Sequence, residues 1–200
     1  MRFKAVGGTL LGVAALVAIA GCGPDSASPP PASTSGAAAT TTPQSEIANP
    51  LNTSKLAGEI CSALTDTQLA PYLGVLDSKD PQQASNGPSC SYDPKDPLGP
   101  TVGAGVVNAA TPTQESLYES AGSFPWRQKV SAIAGYPTVN YSTSFNASGG
   151  DCSTDVAVNA TQSLHLEFSD TSKSDPNYAK PCVVSQALMT EFIQNVQAGS

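Results

Sequence analysis

Residues 163–169 read S-L-H-L-E-F-S, and this strict alternation of polar and apolar residues predicts a β-strand with one buried face. Successive side chains of a strand point to opposite faces of its sheet. The apolar face consists of Leu164, Leu166 and Phe168, and the polar face of Ser163, His165 and Glu167. We expect the polar face to be solvated, with His165 as an ordinary surface residue. The preceding residues 155–159, D-V-A-V-N, predict the partner strand of a hairpin.

Helical patterns lie on both sides of this hairpin. Residues 182–196 carry an apolar side chain at every fourth position, which predicts a helix whose apolar stripe packs on a sheet. The repeated residues are Val184, Leu188, Phe192 and Val196. On the N-terminal side, residues 55–64 predict a helix. Thr65 and Gln68 then form a capping box that opens a second, short helix ended by Gly74.

The remaining segments complete a predicted fold of one domain. Strands are predicted at 89–92, 102–108, 126–131 and 138–145, and a loop at 77–89. Residues 111–114, T-P-T-Q, predict a capping box that opens a helix to about residue 121. Together these elements predict an α+β fold, a mostly antiparallel sheet with N- and C-terminal helices packed on it. We assign residues 49–200 to this single globular domain.

The N-terminus has the pattern of an export signal. A basic n-region precedes an apolar run at 5–20, which has the length of a signal-peptide core and is too short to span a bilayer. The run ends in I-A-G-C at 19–22, which resembles a bacterial lipobox. This predicts a signal peptide at 1–21 and a lipidated Cys22. The alternative is a plain secretory signal cleaved after A-I-A at 18–20, which also satisfies the small-x-small rule.

The cysteine count supports the lipid anchor. Five cysteines are an odd number, and a lipidated Cys22 leaves an even set for an oxidising compartment. The remaining four are Cys61, Cys90, Cys152 and Cys182. They allow three pairings, of which we predict the short-range one, Cys61 with Cys90 and Cys152 with Cys182. Each bridge would close a loop of about 30 residues and remove unfolded-state entropy worth roughly 3–4 kcal/mol.

Composition and charge restrict the partners of the chain. Residues 22–48 are rich in Pro, Ser, Thr and Ala and predict a disordered tether behind the lipid. Loss of Arg2 and Lys4 with the signal peptide leaves seven basic and 16 acidic side chains, a formal net charge of −9. Such a chain offers no basic patch for nucleic acid and is repelled by anionic headgroups. We therefore expect the lipid to hold the protein at the cell membrane, facing outside the cytoplasm.

The sequence offers no motif for a cofactor, a metal ion or catalysis. His165 is the only histidine, and no two cysteines have Cys-x-x-Cys spacing. Four carboxylates in a loop-rich stretch lack the EF-hand pattern, namely Asp77, Asp80, Asp93 and Asp96. Residues 103–105, G-A-G, lack the third glycine of a dinucleotide fingerprint. We expect these glycines to relieve packing where a helix crosses the sheet.

Two aromatic residues beside prolines are candidate ligand contacts. Trp126 follows F-P, and Tyr136 precedes Pro137 in a predicted turn. Trp and Tyr combine apolar area with a polar tip, so such residues in loops can line a ligand groove. The alternative is that both residues close the edge of the core.

Several short motifs together resemble a known family. They are I-C-S-A-L-T at 60–65, Cys90 before Tyr92, G-Y-P at 135–137, Cys152, and Pro181-Cys182 at the start of a C-terminal helix. With the exported N-terminus and the tether, they resemble actinobacterial lipoproteins catalogued as domain of unknown function 3558. The resemblance implies compartment and architecture, and it implies no catalytic residue. One departure is Tyr92, where members of the family often have Trp.

These observations favour a binding function over a catalytic one. We expect a lipid-anchored, extracytoplasmic and non-enzymatic binding module for an envelope lipid, glycan or protein partner, because an anchor and a tether raise local concentration at the membrane. One alternative is an envelope hydrolase that uses a carboxylate pair. Another is a regulatory or structural lipoprotein that acts on a membrane protein.

Overall fold

A computed structural model of the chain describes residues 47–199. The strands are β1 (Leu76–Ala84), β2 (Gly87–Pro94), β3 (Thr101–Asn108), β4 (Trp126–Ile133), β5 (Tyr136–Ser142), β6 (Asp151–Asn159) and β7 (Gln162–Ser169). The α-helices are α1 (Leu56–Glu59), α2 (Asp66–Leu73), α3 (Gln114–Ser120) and α4 (Pro181–Ala198). Short 3₁₀ turns follow α1 and α3, at Ile60–Ser62 and Ala121–Ser123. The predicted signal peptide, Cys22 and nearly all of the predicted tether lie outside the described residues.

The seven strands form a single antiparallel sheet in the order β1-β2-β3-β7-β6-β5-β4. Two meanders, β1 to β3 and β4 to β7, join where β3 pairs with β7. The predicted combination of an antiparallel sheet, helices and two disulfides is therefore confirmed. The helices lie before the strands, between β3 and β4, and after β7.

One face of the sheet is covered by α4 and carries the main core. The three apolar side chains predicted to face the core from β7 are fully buried there, as are those on the facing side of α4. From β7 these are Leu164, Leu166 and Phe168, and from α4 they are Leu188, Met189, Phe192 and Ile193. The alternation in 163–169 and the fourfold spacing in 182–196 thus predicted the two sides of one interface.

Both predicted disulfides are present. Cys61 and Cys90 join the 3₁₀ turn after α1 to β2, across a separation of 29 residues. Cys152 and Cys182 join β6 to the first turn of α4, across 30 residues. Each bridge fastens a helical segment to the sheet, on the face that α4 covers.

The sequence predicted the capping box of α2 correctly and misplaced the capping box of α3. Thr65 caps α2 as predicted, with Gln68 at the third helical position and Gly74 after the last turn. The box predicted at 111–114 was wrong by two residues. Thr113 is the N-cap of α3, and its Oγ1 accepts a hydrogen bond from the Ser116 amide at 3.1 Å. The threonine-proline pair before it lies outside the helix.

The loop predicted at 77–89 was also wrong, because most of it forms the edge strand β1. Leu76–Ala84 pairs with β2, but every one of its side chains is half-buried or exposed. An edge strand that buries neither face shows no hydrophobic alternation, so the pattern was missing. Pro81 is compatible with this place because the outer side of an edge strand needs no ladder hydrogen bond.

Candidate functional site

The face of the sheet opposite α4 is covered only in part. The short helix α3 packs on β4, β5 and β6, where it forms a small second core. This core consists of Leu117, Ala121, Val139, Tyr141 and Ala157. The other described helical segments that pack on β1, β2 and β3 do so on the face that α4 occupies. Within residues 47–199, the second face of these three strands and of β7 therefore has no helix over it.

We call this uncovered surface the open face. It is formed by Asp80 and Gln82 of β1, Ser89, Ser91 and Asp93 of β2, Gly103 and Gly105 of β3, and His165 and Glu167 of β7. Their neighbours along β2, β3 and β7 point into the main core. The strand register fixes which of these side chains lie beside each other.

Two rows of directly opposed residues cross the open face. One row runs Gln82, Ser89, Gly105, His165 and Asp155. The other runs Asp80, Ser91, Gly103, Glu167 and Ser153. In each row a serine and a glycine lie between two longer polar side chains, Gln82 and His165 in the first row and Asp80 and Glu167 in the second. The open face is thus a shallow polar depression.

Gly103 lies in the middle of its row, and packing does not require a glycine there. A Cβ atom added at Gly103 would meet only the Cβ of Glu167, at 3.9 Å. We expected a helix to cross the sheet at 103–105, and this was wrong, because α3 crosses the other half. Gly105 is different, since an added Cβ would lie 3.1 Å from the Pro88 carbonyl oxygen and from the Ser89 Cβ.

A cluster of three polar side chains borders the open face at the edge of α3. His165 Nδ1 lies 2.7 Å from Asp155 Oδ1 and 3.2 Å from the Tyr141 hydroxyl. That hydroxyl also lies 3.3 Å from Asp155 Oδ2. Phe124 packs on the Tyr141 ring at a centroid distance of 4.4 Å. We expected His165 to be solvated, and this was wrong: its side chain is only 27% exposed and is held by two partners.

The electrostatics of this cluster favour a charged histidine. Burial acts to lower the pKa of His165, but the hydrogen bond and charge of Asp155, with a further contribution from Glu167, outweigh burial and raise it. Burial, followed by the charge of Asp155, raises the pKa of the Tyr141 hydroxyl far above its usual value. His165 therefore holds its proton more tightly than a free histidine, and Tyr141 stays neutral.

The open face is acidic. Asp80, Asp93 and Glu167 contribute carboxylates, and the Ser78 hydroxyl lies 2.8 Å from the first and 3.4 Å from the second. The four strands of the open face contain one Lys and no Arg. That lysine, Lys79, lies on the opposite face, where it pairs with Asp66 at 2.5 Å and stands over the Tyr92 ring. No Lys or Arg of these strands therefore lies beside the three carboxylates of the open face.

The two aromatic candidates do not come together. Trp126 begins β4 opposite Ser142, whereas Tyr136 begins β5 opposite Ile133, at the other end of the same hairpin. Six residues of strand separate these ends by about 20 Å. Tyr136 is 4% exposed, belongs to the main core and donates a hydrogen bond to the Asn49 carbonyl at 2.8 Å. Its position agrees with the alternative interpretation, a residue that closes the edge of the core.

Two of the four carboxylates expected in a loop-rich stretch, Asp80 and Asp93, both lie within reach of the Ser78 hydroxyl. Asp80 and Asp93 lie on paired strands instead of in one loop. Among residues 47–199, no three Asp, Glu, His or Cys side chains are grouped so that they could hold a metal ion. In the same part of the chain, no helix has the length and apolar character needed to cross a membrane.

Comparison with known proteins identifies a family and no closer relative. The profile of the family described as "Protein of unknown function (DUF3558)" matches residues 17–195. No curated protein and no solved structure matches the chain.

Proposed function

Because the chain belongs to the DUF3558 family, whose description names no activity, we propose a function from its own residues. The protein is a lipid-anchored, extracytoplasmic binding module, and its open face docks a basic segment of a partner protein. The uncovered, acidic half of the sheet is the observation that carries this proposal. The proposal does not include an enzymatic activity.

The anchor is supported by the N-terminal sequence. The I-A-G-C tetrad at 19–22 places a cysteine where lipoproteins of this kind carry their lipid. With Cys22 lipidated, the cysteines that remain are the four that form the two disulfides. Disulfides of this kind persist in oxidising compartments, which agrees with a location outside the cytoplasm. The tether at 22–48 would let the domain reach a partner near the membrane.

The charge of the open face supports a basic partner. Asp80, Asp93 and Glu167 lie on a surface whose strands direct their only lysine to the other side. Opposite charges steer association and select partners even where they add little affinity. The short side chains of Ser89, Ser91 and Gly103 leave room for an extended segment with long Lys or Arg side chains. An anionic lipid or glycan would be repelled from the same surface.

The tether of this chain cannot supply the complementary charge. Residues 23–48 contain two acidic residues and neither Lys nor Arg. A segment of the same molecule folding back would therefore add negative charge to an acidic surface. The proposed occupant belongs to another protein.

The hydrolase alternative has less support. The carboxylate nearest to a possible catalytic partner is Asp155, and it is paired with His165. In the described residues, no serine or cysteine side chain is hydrogen-bonded to His165. A hydrolase of the carboxylate-pair type needs two carboxylates free to flank a substrate bond, whereas Asp155 is held by His165 and by the Tyr141 hydroxyl.

The test is calorimetric titration of the domain 47–200 with pentalysine and, as the uncharged comparison, with pentaserine. We expect pentalysine alone to bind, with an affinity that falls as salt is added. The double variant Asp80→Asn/Glu167→Gln removes two charges from the open face and should weaken binding at least tenfold. The control Glu59→Gln/Glu119→Gln removes two exposed charges from α1 and α3 and should change binding less than twofold.

Two results would contradict the proposal. If both double variants weaken the binding of pentalysine equally, the attraction comes from the net charge of the protein, and the open face is not a binding site. If pentalysine does not bind at low salt, the partner is not basic, and titration with neutral glycans becomes the next measurement.

A further inference from the structure

A second candidate site lies at the end of the sheet where β6 begins and β7 ends. The loop 143–150 and the segment after β7 meet there, and the Asp170 amide donates a hydrogen bond to the Gly150 carbonyl at 2.7 Å. Between them is a cavity of about 360 Å³. This cavity is separate from the rows that define the open face.

Asp170 is the unusual residue of this cavity. It is only 3% exposed, and its Oδ1 accepts a hydrogen bond from the Ser172 amide at 2.8 Å. Its Oδ2 is closed to solvent and has no hydrogen-bond partner among the described residues. A buried carboxylate oxygen without a donor or a cation is costly, since the charge has lost its hydration. A proton on Asp170, or a positively charged ligand bound to its Oδ2, would remove this cost.

The lining of the cavity has the chemistry of a hard-cation site. Nine residues line it, and every heteroatom in their side chains is an oxygen. They include the two carboxylates Asp151 and Asp170, the hydroxyls of Ser144 and Tyr178, and the backbone of Gly149 and Gly150. None of the nine is Lys, Arg or His, so the lining contains no counter-ion. Ca²⁺ prefers such mixed sets of carboxylate, carbonyl, hydroxyl and water oxygens.

Asp151 brings a second negative charge that is already oriented. Its Oδ1 accepts from the Ser144 hydroxyl at 2.8 Å, and its Oδ2 accepts from the Thr143 amide at 2.7 Å and the Ser142 hydroxyl at 3.1 Å. Burial alone would raise the pKa of Asp151, but these hydrogen bonds outweigh it and lower the pKa. Asp151 is therefore ionised at neutral pH and keeps lone-pair capacity for one more partner.

We propose that this cavity binds Ca²⁺, with Asp170 Oδ2 and the Asp151 carboxylate as its charged ligands and neutral oxygens of the loops and water completing the shell. A Ca²⁺–oxygen contact of about 2.3–2.6 Å is shorter than a hydrogen bond to water, so a carboxylate oxygen too enclosed for a water molecule can still contact a Ca²⁺ ion whose other ligands lie in the cavity. The loops suit Ca²⁺ better than Mg²⁺, which requires a rigid octahedral shell. Two charged ligands on loops predict a weak site, with a Kd of about 10⁻⁴–10⁻³ M.

The competing explanation is that Asp170 carries a proton instead. Burial raises the pKa of Asp170, the Ser172 amide offsets part of that effect, and the charge of Asp175 raises the pKa further. The two explanations differ in what Ca²⁺ does to the protein. A ligand that binds only the folded state raises its melting temperature, whereas a protonated carboxyl is unaffected by Ca²⁺.

The test is thermal unfolding and calorimetric titration of the domain 47–200 with CaCl₂ in the millimolar range. We expect Ca²⁺ to raise Tm and to bind, and the variant Asp170→Asn to weaken that affinity at least tenfold. Asn keeps the oxygen that accepts the Ser172 amide, so this variant should fold and, without Ca²⁺, be at least as stable as the parent. If it does not fold, Asp151→Asn provides the same comparison. The control is Asp80→Asn on the open face, which should bind Ca²⁺ like the parent.

Two outcomes would overturn the proposal. A Tm and a calorimetric signal that do not respond to millimolar Ca²⁺ would mean that Asp170 is a buried protonated carboxyl. Equal weakening by Asp170→Asn and Asp80→Asn would mean that Ca²⁺ associates with the acidic surface in general.

Discussion

His165 Nδ1 lies 2.7 Å from Asp155 Oδ1, and the two residues oppose each other directly across the central pair of strands β6 and β7. The Tyr141 hydroxyl of β5 contacts both of them. Three neighbouring strands are thus joined by one polar cluster at the boundary between the part of the sheet under α3 and the open face. The cluster holds the rim of the proposed docking surface in one arrangement.

This pair makes stability depend on pH in a defined direction. The pKa of His165 is raised in the folded protein, so its contribution is complete below the unfolded value of about 6.5 and is lost as pH rises through the folded pKa. His165→Gln should therefore destabilise the domain by about 1.5–3 kcal/mol near pH 6 and by less above pH 8. Urea unfolding across this range measures the difference between parent and variant. A difference that stays constant or grows with pH would contradict the proposed charge pair.

Gly103 and Gly105 should respond oppositely to the same substitution. Gly103→Ala adds a methyl group to open space and reduces the entropy of the unfolded chain, so it should stabilise the domain by about 0.5–1 kcal/mol. Gly105→Ala places a Cβ 3.1 Å from the Pro88 oxygen and should destabilise it by about 1–3 kcal/mol. Thermal unfolding of both variants tests the prediction, which fails if they shift Tm in the same direction.

Tyr136 should behave as a structural residue. Tyr136→Phe removes the hydrogen bond to the Asn49 carbonyl while keeping the ring in the core, and should cost about 1 kcal/mol. Pentalysine binding should stay unchanged, because Tyr136 is in the main core and not on the open face. If Tyr136→Phe loses affinity for pentalysine while its stability is unchanged, Tyr136 contacts the ligand and the structural interpretation is wrong.

The two disulfides should contribute about equally. They close loops of 29 and 30 residues, and the chain-entropy relation gives roughly 3–4 kcal/mol for each. The variants Cys61→Ala/Cys90→Ala and Cys152→Ala/Cys182→Ala can be compared by urea unfolding. If one pair costs several kcal/mol more than the other, loss of packing around that bridge outweighs the entropy of loop closure.

The sequence correctly predicted those parts of the fold that depend only on residues close to each other along the chain. Apolar and polar residues alternate in 163–169 because one face of this strand is buried in the core. The Thr65 box depends on atoms within four residues. The edge strand β1 was not predicted because none of its side chains is fully buried, so it shows no hydrophobic alternation and is a strand only through its pairing with β2.

The His165 cluster and the open face were not predicted, because each depends on how distant parts of the chain come together. An irregularity between Ala157 and Asn159 shifts the β6 and β7 register by one residue and places Asp155 opposite His165 instead of Leu166. The open face depends on where α3 packs. A helix of seven residues is only about 10 Å long and covers roughly three strands, and no pattern in the sequence says which three. The β6–β7 register and the position of α3 can be seen only in the folded sheet.

The most direct test of the docking proposal is amide chemical-shift mapping of the ¹⁵N-labelled domain during titration with pentalysine. We predict that the largest shifts fall on β2, β3 and β7, around Ser91, Gly103 and Glu167, and that Gly103→Leu, which fills the depression, removes them while leaving the other resonances in place. Shifts spread over all acidic residues, or centred on α3 and α4, would contradict the account.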